Sequence, residues 1–274
     1  MTRARGWLLL VGVLAVAAAA ASTAEPLELR FHPEQGLAVT YEFTADGELT
    51  ISMPGGTPEG HAIRASGKYT DRLVSVQGDL RKIERRVKSM TVEFGGQKQE
   101  MPTEVLAQVQ TIVMDELGVQ VESQSAGKGA AAGTDPMEIL TAGLGFIPFC
   151  EKAVKVGDEW DNSKAMTVLS KDLKVSATTT LESTYDSAGM QVALTQTEFR
   201  VEGSMKPAPT QGPGPSPVMS VSLQGAILQS SRIEDGCLLG VKSIMSGNAT
   251  MEMPGVGSMR MELKDINMRL QVAG

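Results

Sequence analysis

His32, His61, Cys150, Cys237 and the oxygen-rich run Asp158-Glu159-Trp160-Asp161-Asn162 are the residues of this chain whose types invite a chemical reading. Catalysis near neutral pH usually needs a partnered histidine, paired carboxylates, an activated nucleophile or a metal. The two histidines stand in separate segments without companions at ligand spacing. No His-Glu-x-x-His, Cys-x-x-Cys, Gly-x-Ser-x-Gly or phosphate-cradling glycine loop occurs. Ser125-Ala126-Gly127-Lys128 has the Ser-x-x-Lys spacing of serine acyltransferases, but it lies in the small-residue tract SAGKGAAAG and no Lys-Thr-Gly accompanies it. The Asp158–Asn162 run lacks the alternating donors and turn glycine of a calcium loop and reads as a solvated turn beside a buried tryptophan. No enzymatic activity, metal or cofactor is expected.

Methionine is the one excess: 16 residues, against six Phe, three Tyr and two Trp. Met251, Met253, Met259 and Met261 fall on one face of the last hairpin, and Tyr41, Phe43 and Ile51 on the oily face of the first strand. Methionine fills cores, and it also lines surfaces that accept varied apolar partners. These seven residues are therefore the candidate apolar-ligand surface, with core filling as the competing account. Thioethers also take copper, but neither histidine lies near them in sequence.

The opening MTRARGWLLLVGVLAVAAAAASTAEP has a basic start, an apolar stretch and a small-residue end at Ser22-Thr23-Ala24. That is a secretory signal peptide, residues 1–24, with cleavage expected after Ala24. No later segment is long and apolar enough to span a bilayer as a helix. The exported chain is expected in the periplasm or outside the cell. Removing Arg3 and Arg5 leaves 23 basic against 32 acidic residues, a net charge of about −9. An acidic chain without a basic tract repels phosphate, so nucleic acid is excluded as a partner. A lipid or lipoprotein is the expected partner, with an envelope protein as the alternative. Cys150 and Cys237 either close one long disulfide loop or remain separate buried thiols.

The elements that must position these residues are strands. Leu37 to Met53, LAVTYEFTADGELTISM, puts apolar residues on odd positions and polar ones on even positions. Successive strand side chains face opposite ways, so this is one oily and one wet face over about 56 Å. Asp46-Gly47 is a hairpin signal; a two-residue loop there would put oily residues on both faces, whereas a three-residue loop Ala45-Asp46-Gly47 would keep the face intact. One continuous strand is preferred because Met53-Pro54-Gly55-Gly56 is the stronger turn. Similar alternation occupies Val175–Leu181 and Met219–Ile227. Near the end, Met259, Met261 and Leu263 are odd whereas Ile266, Met268, Leu270 and Val272 are even; a β-bulge around Lys264-Asp265 would cause that switch. Met190, Val192 and Leu194 hand over to Phe199 and Val201 in the same manner. Leu80–Phe94 and Thr103–Val113 suit helix or strand. A short capped helix is expected over Asp135–Leu140, and Pro207–Pro217, with five prolines, is a surface loop. One continuous sheet over residues 25–274 is expected, its halves joined around 125–150.

Val154-Lys155-Val156-Gly157-Asp158-Glu159-Trp160 resembles a "V-x-V-G-D-x-W" turn found in uncharacterised exported bacterial β-proteins. These are similar in fold to the periplasmic lipoprotein carriers of the LolA, LolB and LppX kind. The resemblance implies a mainly β (β-rich α+β) fold: long antiparallel strands in a strongly curved sheet or incomplete barrel, with one or two short helices on the concave side. It also implies an apolar ligand such as an acyl chain on that side. Val156, Gly157, Asp158 and Trp160 carry it, and no lipid-contact residue of the carriers can be transferred.

Overall fold

The computed structural model describes residues 25–125, 146–166, 173–205, 218–253 and 257–273. Residues 1–24, most of the small-residue tract, the helix expected over Asp135–Leu140 and Pro207–Pro217 with its expected loop lie outside them: residues 126–145 and 206–217 are not described.

Strand β1 (Ala38–Ser52) runs unbroken through Asp46-Gly47. It is followed by β2 (Glu59–Gln77), β3 (Leu80–Phe94) and β4 (Gln97–Glu100). A four-residue helix α1 (Thr103–Leu106) precedes β5 (Val109–Met114) and β6 (Gln120–Ser125). The second half holds β7 (Glu159–Asp161), a four-residue helix α2 (Ser163–Met166), β8 (Leu173–Ser187) and β9 (Met190–Met205). Strands β10 (Val218–Arg232), β11 (Leu238–Met253) and β12 (Gly257–Val272) complete it. The two ambiguous segments resolve into β3, and into α1 followed by β5.

All twelve strands form one antiparallel sheet in the order β6-β5-β3-β2-β1-β12-β11-β10-β9-β8-β7, with β4 beside β3. Neighbours are consecutive in sequence except at the centre, where β1 pairs β12, and at β3, which pairs β5 as well as β4. The sheet is not closed: β6 and β7 are its edges. One core cluster nevertheless unites Ile83 and Ile112 of one arm with Leu181 and Ala193 of the other. The sheet must curl for strands so far apart in its order to share a core.

Two segments fill the inside of that curl. The entering chain supplies Leu29 and Phe31, and the crossing segment before β7 supplies Phe149 and Val154. They bridge to each other at Leu27 and Val154. The crossing segment is held by Gln229, whose amide Nε2–H donates to the Ile147 carbonyl at 3.1 Å and whose Oε1 accepts from the Ile147 N–H at 2.8 Å. A buried glutamine so placed satisfies backbone groups that an isolated crossing strand would leave orphaned.

The expected bulge is present. β1 and β12 shift register between Asp46↔Asn267 and Glu48↔Lys264, and Asp265 has φ 50°. Leu263 and Ile266 therefore both face inward. Gly47 admits this: a Cβ there would stand 2.9 Å from the Ile266 Cα and 2.3 Å from its Cδ1. The hand-over expected in β9 is not a bulge of that strand, which pairs β10 without interruption. The shift lies in β8, between Leu181 and Ser183. Thr195 and Thr197 occupy the inward odd positions of β9, where apolar side chains would have shown the continuity.

The outward face is polar. On β12 it presents Arg260, Glu262, Lys264, Asn267, Arg269 and Gln271, all exposed. Lys68 pairs with Glu42 there, and Lys264 with Glu48 at 3.7 Å. The lipid-facing wall of a membrane barrel carries an apolar band; this wall carries charge.

Candidate functional site

Cross-strand register assigns each inward side chain to a row, because directly opposed residues share a face. At one end of the sheet the rows are packed. Phe43, Leu270, Val241 and Gln229 are successive neighbours, with Thr195 and Leu181 beyond, and all are buried. Three rows further along, Leu49 faces Leu263, Gly247, Leu223 and Val201. Beyond it Ile51 faces Met261, Ala249 and Val221. Last comes Met259 facing Met251 and Met219. Apart from Val201, the described side chains of these last rows are only half-buried. The partly buried residues packed on the core reach Phe199, Met245 and Leu263 and stop there.

The seven candidate ligand residues thus divide. Tyr41 and Phe43 are core, 6% and 5% exposed. The Tyr41 hydroxyl donates to the Leu238 carbonyl at 3.1 Å, and its ring lies 5.3 Å from that of Tyr69. Ile51, Met251, Met259 and Met261 come together at the open end of the face. Met253 is in β11 opposite Gly257, and its side chain lies outside the description.

A second feature sits in the packed end. A cavity of about 60 Å³ is bordered by Phe31, Tyr41, Tyr69, Asp71, Arg85 and Cys237 among others. It admits a few waters but no acyl chain. Asp71 and Arg85 are opposed across β2 and β3 and form a bidentate pair, Nε to Oδ1 and Nη2 to Oδ2, both 2.8 Å. The guanidinium carbon stands 4.3 Å over the Tyr69 ring, a cation–π contact. Burial opposes the charge on Arg85, but the Asp71 carboxylate outweighs it and holds the guanidinium firmly protonated. Burial pushes the Tyr69 hydroxyl up to about 12 and raises that of Tyr41 well above its ordinary value. With both donors of the fork on one carboxylate, the pair is committed to the fold. Its trace in the sequence is a charge on the oily parity of each strand, Asp71 between Tyr69 and Leu73, Arg85 between Ile83 and Val87.

Cys150 and Cys237 are free thiols, so the disulfide alternative is not realised. Cys237 is buried at the cavity and engages Asp235 and Arg232, whereas Cys150 is half-buried on the crossing segment, its carbonyl bound by Arg30 at 3.1 Å. Burial, then the Asp235 carboxylate, pushes the Cys237 thiol up to about 12.

The Val154–Trp160 run builds a turn. Val154 is core, Val156 is exposed, and Gly157 has φ 92°, a conformation that disfavours a side chain. Asp158 closes the turn by accepting from the Lys155 N–H at 2.8 Å. The Gly157 N–H then donates to the Leu181 carbonyl at 2.8 Å, docking the turn on β8, and Trp160 packs on the core. Two side chains of the adjoining run are likewise engaged. Asp161 accepts from the Ser163 N–H at 2.8 Å and from its hydroxyl, which lowers its pKa; Asn162 donates to Thr179 and to the Pro148 carbonyl. Among the described residues no group of three or more His, Cys, Asp or Glu side chains is placed to hold a metal.

Fold and site together define a β-rich protein built on an unclosed antiparallel sheet with an apolar inner face covered at one end. No protein-family model matches the chain, and no curated protein matches its sequence. Among solved structures it is similar to DynF from the dynemicin biosynthesis pathway of Micromonospora chersina, at 8% identity and TM-score 0.23 over 91% of this chain and 90% of that one. A DUF1329 family protein from Desulfovibrio piger gives 10% identity and TM-score 0.19 over 82% and 84%. A mutant of the Rh. blastica porin gives 8% identity and TM-score 0.26 over 85% and 99%. Similarities this low carry no functional argument, which rests on the residues described above.

Proposed function

We propose that this is an exported, non-enzymatic protein of the cell envelope that holds an apolar chain, such as a lipid or lipoprotein acyl group, against the open end of the inner sheet face. In this reading the sheet is an incomplete barrel of the lipoprotein-carrier kind, soluble after loss of the leader, with short helices covering part of its concave side. The observation that carries the proposal is the contrast along one face: the rows from Phe43 to Leu181 are buried, while those containing Ile51, Met259 and Met261 are apolar and half-exposed. Contiguous apolar surface at a concave site favours ligand burial, at about 25 cal/mol per Å² removed from water.

The test is native mass spectrometry of the protein purified from a bacterial envelope, followed by organic extraction. A copurifying acyl species, lost in Met251→Glu and Met261→Glu variants that still fold, is the expected result. A bare polypeptide mass, unchanged after incubation with lipid, would refute ligand binding. The small size of the cavity at the packed end favours one alternative, an interaction module whose apolar rim docks on another envelope protein. A single protein captured by crosslinking at Met261, with no lipid present, would establish it.

A further inference from the structure

An inward row near the open end carries methionine on successive strands. Met219 is directly opposite both Met205 and Met251, and Met251 is opposite Met259. Pairing of β1 with β12 ends at Ser52↔Arg260, and Met53 follows directly in the chain. A Cβ on Gly257 would lie 2.7 Å from the Pro54 ring, so the chain after β1 stays against β12 there. Three adjacent strands, β10 to β12, therefore each bring a methionine to the same row, and Met261 stands one row inward. At 16 methionines in 274 residues, a random row of three would hold fewer than one. The next two rows inward use Val221, Leu223, Leu49, Ile51 and Leu263, so apolarity alone does not account for the switch to methionine.

We propose that Met219, Met251 and Met259, with Met53 or Met261 in reserve, form a binding site for a soft monovalent cation of the Cu(I) or Ag(I) class. Opposed strand residues have Cα atoms about 4.5–5.5 Å apart. Each methionine carries its sulfur on three rotatable bonds, so three neighbouring Sδ atoms can converge on one ion. Neutral, polarisable thioethers select Cu(I) over hard or borderline cations. The absence of a histidine beside them is no obstacle, because a trigonal thioether set needs none. Accessibility agrees: Met53 is 47% exposed and Met219, Met251, Met259 and Met261 are half-buried, whereas the core methionines Met90 and Met268 are 4% and 3% exposed. The polar side chains of the same hairpin end, Glu252, Ser258 and Arg260, have the opposite parity and face away.

The test is anaerobic titration of the full protein with Cu(I) against a chromophoric Cu(I) chelator, with Ag(I) uptake followed by native mass spectrometry. One ion per chain with sulfur-only coordination by X-ray absorption is the expected result. Met251→Leu should weaken binding at least tenfold, and Met251→Leu with Met259→Leu should abolish it. Leucine conserves volume and apolarity, so these variants keep the fold. Failure of the wild-type protein to take Cu(I) from the chelator, or undiminished binding by the leucine pair, overturns the metal site. Absence of any copurified lipid from a wild-type protein that takes up Cu(I) would count against the ligand reading above and leave the metal site standing.

Discussion

The two ends of the inner sheet face are made by the same strands with the same alternation, yet they differ in every physical respect. At the packed end, Leu29, Phe31, Ile147 and Phe149 from two crossing segments press onto the rows, and Gln229, Asp71 and Arg85 are each paired. At the open end no described segment lies on the rows, and branched aliphatics give way to methionine toward the rim. Amphipathic strands alone therefore do not make a core. The cover does, and where it stops the same chemistry becomes surface available to a ligand.

The largest effect that probes this contrast is at the ion pair. Asp71→Asn should destabilise the protein by about 3–4 kcal/mol in urea unfolding, because Arg85 would keep a charge without its counter-ion in the packed end. Replacing both residues with leucine and methionine should recover most of that loss; if the double variant is as unstable as the single one, the pair is more than a satisfied charge. Next comes a matched pair of truncations on one strand and one face. Met268→Ala should cost about 3 kcal/mol, and Met261→Ala less than about 1 kcal/mol. Equal losses would mean that both ends are core. Gln229→Ala should cost about 2 kcal/mol by leaving the Ile147 N–H and C=O without their partner. It should also raise hydrogen exchange in residues 146–154, whereas unchanged exchange would show that side-chain packing alone holds the segment.

A further contrast concerns pH. The Tyr69 and Cys237 acids are held at about 12, above their ordinary values of 10.0 and 9.0. Folding favours their neutral forms, so this stabilisation is complete below about pH 9 and is lost as pH rises toward 12. The urea midpoint should fall across that window and stay level between pH 7 and 8.5. At pH 8 a thiol reagent should label half-buried Cys150 and spare Cys237 until the protein unfolds. Protection of both cysteines in the native protein would reopen the question of their pairing.

Much of the strand architecture was readable because alternation is enforced within a few residues. The one-sidedness of the oily positions of β1 excludes a two-residue hairpin at Asp46-Gly47, and the stronger turn at Met53–Gly56 favours its continuity. The bulge near Asp265 shows as a parity switch because an inserted residue must move every later side chain to the other face. The same reading failed in β9. There Thr197 is hydrogen-bonded at 2.8 Å to Thr179, which also accepts from Asn162, so polar residues sit inside and hide the register. Of the candidate site, the methionine hairpin was legible. Tyr41 and Phe43 were grouped with it because alternation identifies a face without identifying what lies on it.

Sequence alone therefore determined the local terms: strand periods, turns, the bulge and the polarity of each face. Tertiary structure decided the rest. It paired the first strand with the last, set Tyr41 against Leu238 at a separation of 197 residues, matched Asp71 with Arg85, and carried the crossing segment over one end of the face only. These outcomes depend on which distant surfaces meet. Side-chain alternation is decided by neighbours along the chain, whereas coverage of a sheet face is decided by neighbours in space.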